Sequence, residues 1–171
     1  MSDISETAMS GIPNYDMYVS AAFDAMEFRG KTLSQWEEEI SFADLDEHID
    51  FIELKKINYD FVNKSKIIMN NLSYAKTALK GCEMQYEAQL GATKVRLLQE
   101  FKETNPNARA PSIDALSTRA QTICIESLIA KEIAEMFLLF WQSQYDKIKI
   151  IDSRLSGIGY LIGLEVRNTH M

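Results

Sequence analysis

The chain has 171 residues, 18 basic and 25 acidic, for a formal net charge of −7. That length suits one domain, or one domain with an extension, and a core that needs no disulfides or metal as staples. Apolar residues make up 46% of the chain, which argues against disorder, and 7 Gly and 3 Pro are too few for a many-turned β fold. The charge is uneven: residues 1–50 carry 2 basic and 12 acidic groups, residues 51–171 carry 16 and 13. Whole-chain acidity therefore does not exclude a polyanion ligand for the main body.

Residues 1–31 read as an acidic, partly disordered N-terminal extension, and residues 32–171 as the helical domain. The extension is a solvated arm, a protein-docking arm, or a mask over a basic surface. Its polar, acidic start does not resemble a secretory or transit signal. Tyr15 to Arg29 suits a short amphipathic helix closed by Gly30, and Thr32 to Ile40 a second one, with Ser34 and Glu37 at capping-box spacing.

Between Asp44 and Gly81 the chain contains no Gly or Pro. Phe61, Ile68, Ala75 and Cys82 recur every seven residues, with Ser65, Leu72, Leu79 and Tyr86 at the companion positions. This is the seam of a long, coiled-coil-like helix, continued less regularly through Leu90, Leu97 and Phe101. Gly81 and Gly91 suggest a bend or close packing. Lys102 to Pro111 reads as a loop, because Pro106 and Pro111 stop helix continuation. Ser112 is then a good N-cap for a second long helix. Its seam is Ile113, Ala120, Ser127, Ala134, Trp141, Ile148 and Leu155, with Leu116, Ile123, Ala130, Phe137, Gln144, Ile151 and Ile158 as companions. The stretch Leu155 to Leu164, rich in Gly, is read as helix in preference to strand, with Gly159 and Gly163 permitting close helix contact. The predicted architecture is all-α: an elongated helical hairpin with short N-terminal helices.

Most chemistry is missing from the sequence. His48 and His170 have no metal-ligand spacing, and Asp44 to Asp50 lacks the turn glycine and closing Glu of a calcium loop. Glu126, Glu132 and Glu135 have no Glu-x-x-His partners for a di-iron bundle. Cys82 falls on the seam and reads as a buried small hydrophobe, and Cys124 flanks the other seam. Two cysteines make no disulfide framework and suit a reduced, intracellular setting. No activated nucleophile or phosphate loop is present, so no enzyme, cofactor or metal is expected. The apolar stretches are too short for a membrane span. What remains is a basic zone at the hairpin end: Lys94, Arg96, Lys102 and Arg109, with Tyr86 and Phe101 nearby and Lys76 and Lys80 upstream. Lysine and arginine suit phosphates, and aromatic faces suit unstacked bases. The alternative is a solvated face of mixed charge, since Glu83, Glu87, Glu100 and Glu103 lie close by.

Leu33-Ser-Gln-Trp36-Glu-Glu-Glu-Ile40 with Asp44-Leu45, Lys94-Val-Arg96-Leu97, and Ile151-Asp-Ser153-Arg154 stand in a familiar order. Together they resemble the UvsY-type phage recombination mediators, over roughly Leu33 to Arg167. The resemblance implies a cyclic homo-oligomer of six or seven subunits that binds single-stranded DNA. It implies loading of a recombinase onto strands covered by single-strand-binding protein, in the host cytoplasm. By motif, Lys94 and Arg96 would contact the phosphate backbone, Lys102 and Arg109 being added by proximity. Arg154 would serve DNA or a subunit contact. The competing expectation is a helical structural or interaction protein of a phage (assembly factor, chaperone or defence inhibitor) with no DNA role.

Overall fold

A computed structural model describes residues 21–42 and 49–169. Expectations for residues 1–20, for Asp44 to His48 and for His170 lie outside the described residues. The chain divides between Glu47 and His48 into two compact units, each taken here by itself.

In the first unit, residues 21–25 are helical. A two-stranded antiparallel hairpin follows, β1 (Glu27–Phe28) and β2 (Lys31–Thr32), with Phe28 opposite Lys31. The predicted helix to Arg29 with Gly30 as its cap is thus corrected. Arg29 and Gly30 both adopt positive φ, 53° and 82°, and form the tip of this hairpin. Positive φ at both central residues is the geometry whose twist matches paired strands. Helix α1 (Leu33–Ile40) begins at Thr32, whose Oγ1 accepts from Gln35 N–H at 3.2 Å. Gln35 Oε1 accepts in return from Thr32 N–H at 2.9 Å. The capping box therefore sits two residues earlier than Ser34 and Glu37 suggested. Leu33, Trp36 and Ile40 are buried on one face of α1. Trp36 Nε1 donates to the Phe28 carbonyl at 2.7 Å, satisfying the one polar atom of the indole.

In the second unit, α2 (Phe51–Thr104) is a single helix of 54 residues. Asp50 caps it, accepting from Glu53 N–H at 2.7 Å. After the loop 105–112, Ser112 caps α3 (Ile113–Ile123) by accepting from Ala115 N–H at 3.2 Å. Helix α4 (Ile125–Thr169) follows after one residue. α2 packs along both α3 and α4. Thr93 meets Cys124 at 3.5 Å near one end. A Cβ on Gly159 would lie 4.0 Å from Leu54 Cδ2 near the other. The two long segments therefore run antiparallel as a hairpin, as predicted. Leu155 to Leu164 is helical, and no helix among the described residues is long and apolar enough to cross a membrane.

The predicted seams form most of the core. Phe61, Ile68, Leu72 and Ala75 of α2 are buried, as are Ala120, Ser127, Ala134, Trp141, Gln144, Ile148 and Leu155 across from them. Between the two anchor contacts, Trp141 falls at the level of Ala75 and Gln144 at the level of Asn71, also buried. The largest side chain of the seam thus stands opposite one of the smallest, which lets the helices interdigitate. Toward the loop the pattern changes. In α2 the seam steps by four twice in succession, from Cys82 to Tyr86 to Leu90, before reaching buried Leu97. An extra four-residue step locally unwinds a heptad pairing. At that level the second predicted helix is interrupted: Cys124 has φ −91° and ψ 22° and separates α3 from α4. Here the seam takes buried Cys124 and half-buried Lys131, whereas the predicted Ile113, Ile123 and Ala130 are exposed. Cys82 is only half-buried, while Cys124 is the buried thiol. A Cβ on Gly81 or Gly91 would meet nothing within 4 Å, so neither marks close packing.

Candidate nucleic-acid interface

The four sequence-nominated cations all lie toward the loop end of the hairpin, three on the last turns of α2 and Arg109 in the loop that follows. Lys94 is half-buried beside the seam. Arg96, two residues on, lies about 200° further round the helix, so the two do not share a face. The Arg96 side chain is 60% exposed, and its Nε lies 3.6 Å from Glu100 Oε1. Lys102 sits exposed in the last turn of α2, where a cation complements the carbonyl end of the helix. Arg109 is exposed in the loop that follows. The helix end itself is closed by Asn105 N–H donating to the Phe101 carbonyl at 2.9 Å.

A further cation joins them that the sequence reading missed. Arg119 is exposed on α3, five residues before Cys124, which places it level with the last turns of α2. Folding the chain back about Pro106 and Pro111 is the signal that would have found it. Arg154 is not part of this group. It falls near the level of Phe61, about 50 Å along the hairpin from Lys94. Lys76 and Lys80 also stand apart, on the outward side of α2 with Lys55 and Lys66.

The tip thus gathers Lys94, Arg96, Lys102, Arg109 and Arg119 against Glu100, Glu103 and Asp114. The cations outnumber these acids, and all but Lys94 are exposed. Among the described residues no group of three His, Cys, Asp or Glu side chains could hold a metal ion. A shallow depression lined by Ile52, Lys55, Lys56 and Tyr59 lies on a single face of α2 and presents no acid–base pair. No known family model matches the chain, and no curated protein or solved structure is significantly similar to it.

Proposed function

We propose that the protein is a recombination mediator of the UvsY type, a cyclic homo-oligomer that binds single-stranded DNA in the host cytoplasm. It would help load a recombinase onto strands covered by single-strand-binding protein. The observation that carries the reading is the cationic hairpin tip of Lys94, Arg96, Lys102 and Arg109, now with Arg119. The order of the Leu33–Ile40, Lys94–Leu97 and Ile151–Arg154 motifs along the chain supports it. The activity is assembly rather than bond chemistry. Each tip makes a few solvated phosphate contacts, weak singly, and an oligomer multiplies them through effective concentration. DNA drawn along several tips would leave its covering protein, and the recombinase would nucleate on the exposed stretch.

The deciding experiment is fluorescence anisotropy of a labelled single-stranded oligonucleotide at low and physiological salt. Binding is expected to weaken with salt, and Lys94→Ala/Arg96→Ala to weaken it by about tenfold, each lost phosphate contact also flattening the salt dependence. An oligomer that ignores the oligonucleotide at low salt would favour the second reading, a helical structural or interaction protein. The exposed apolar side chains along both long helices, Tyr59, Met69, Leu139 and Tyr160 among them, speak for that alternative.

A further inference from the structure

The sides of α2 and α4 turned away from each other carry a second pattern that the intramolecular seam does not use. On α2 it runs from Ile52 to Lys80, stepping by three and four. Its apolar members are Ile52, Tyr59, Val62 and Met69, and Lys55, Lys66, Lys76 and Lys80 stand between them, with Ser73. On α4 a row with the same steps runs from Glu132 to Tyr160. Met136, Leu139, Ile150 and Tyr160 are its large apolar members, and Glu132 and Asp146 its charges. The eight apolar side chains are 45–74% exposed, far too open to belong to the hairpin core. The α2 row contains four cations and no acid; the α4 row contains two acids and no cation.

The spacings match as well as the charges. Lys66 and Lys80 are two heptads apart, about 21 Å, and so are Glu132 and Asp146. Read downward from Lys80, α2 steps four, three, four, three; read upward from Glu132, α4 does the same. An antiparallel pairing therefore aligns the rows throughout. It sets Glu132 against Lys80, Asp146 against Lys66, Ile150 against Val62 and Tyr160 against Ile52. A parallel pairing that kept both charge contacts would set Lys66 against Glu132 and Lys80 against Asp146, and would leave Ile52, Tyr59 and Val62 of one row and Ile150 and Tyr160 of the other beyond the paired stretch.

We infer that the outward row of α2 on one copy of this chain docks antiparallel on the outward row of α4 of the next copy. A phosphate polymer would satisfy the lysines but leave Val62, Met69 and the whole α4 row in water, whereas a second copy covers both rows. The competing pairs Lys80–Glu83 and Lys149–Asp146 are exposed contacts within one helix, weak enough to be exchanged. Each copy offers one row of each kind, so the contact is head-to-tail and repeats. Within one chain Leu54 lies against Gly159; between copies Ile52 lies against Tyr160. Neighbours therefore stand at nearly equal height, a geometry that favours closing a ring over climbing into a filament. The inference rests on the oligomeric half of the proposed function and not on its DNA half.

The test is light scattering on the full-length chain, with circular dichroism to check folding. The wild type is expected to be oligomeric. Lys66→Glu/Lys80→Glu and, separately, Glu132→Lys/Asp146→Lys are each expected to weaken association by at least about tenfold. All four changes in one chain, or an equimolar mixture of the two double variants, should restore it. A monomeric wild type overturns the inference, as does an oligomer indifferent to Lys66→Glu/Lys80→Glu, or four combined changes that restore nothing. If Lys66→Glu/Lys80→Glu leaves the oligomer intact and weakens oligonucleotide binding instead, the lysines are a phosphate track and the inference falls. If the reversals and their rescue hold while the wild type ignores the oligonucleotide, the inference stands and the DNA reading falls.

Discussion

Between Phe61 and Ala75 the first long helix presents Phe, Ile, Leu and Ala to a partner that offers Leu155, Ile148 and Trp141. Between Tyr86 and Phe101 it faces half-buried Lys131 and buried Ser127, Cys124 and Ala120. Far from the loop, large side chains alternate with small ones in a regular heptad. Near the loop the buried residues of the partner, Ser127, Cys124 and Ala120, are all small, the seam of α2 slips by one step, and the partner helix breaks at Cys124. The contrast teaches that one hairpin holds itself together in two ways. Far from the loop, stability comes from filled volume. Near it, stability depends on close approach, and the slip and the break compensate each other at one level.

Removing volume should therefore hurt the regular half most. Trp141 is completely buried, and Trp141→Ala is expected to cost about 3–5 kcal/mol in a urea titration. A cost below 1 kcal/mol would mean that the seam collapses freely around the gap. Adding volume should hurt the loop-proximal half. Ala120 is also completely buried, and Ala120→Leu is expected to cost about 1–3 kcal/mol by overpacking. If both substitutions cost the same in both halves, the comparison fails. Smaller again, and opposite in sign, is Gly91→Ala. This glycine lies inside α2 with open space around it, so the substitution should stabilise by about 0.5–1 kcal/mol. A destabilised variant would show that the seam slip needs glycine's freedom.

The helical hairpin could be read from the sequence because a period of 3.5 is carried by many residues at once. Ile68 and Leu72 on one strand of the seam, and Trp141 and Ile148 on the other, each repeat the same message. The interruption at Cys124 could not be read, since it depends on a phase slip in a partner some thirty residues earlier. The hairpin at Arg29 and Gly30 was hidden for another reason: a lone Gly after an amphipathic stretch also fits a helix end. The cationic tip was partly legible. Local sequence placed Lys94, Lys102 and Arg109 together, but only the folded chain adds Arg119 and parts Arg96 from Lys94 around the helix.

The smallest expected effect probes the outward face instead of the seam. The Lys149 ammonium donates to Asp146 Oδ1 at 2.8 Å and holds that carboxyl below its ordinary range, against the opposing effect of desolvation. The same hydrogen bond raises the Lys149 ammonium. The signs follow from which form is bound more tightly in the folded state. Asp146 contributes above its unfolded pKa, and the contribution is lost as pH falls through the lower folded value. Lys149 contributes below its own unfolded pKa, and loses that contribution as pH rises through the higher folded value. Both side chains are more than half exposed, so the stability of one isolated chain should barely register Asp146→Asn. The oligomer should register it more. Acidification through the lowered Asp146 value neutralises that carboxyl, one of the two acids of the outward row of α4. Light scattering across that range should show association weakening in the wild type, and weakening with a smaller amplitude in Asp146→Asn. Equal amplitudes would remove Asp146 from the contact and leave its pairing with Lys149 as a matter of one helix alone.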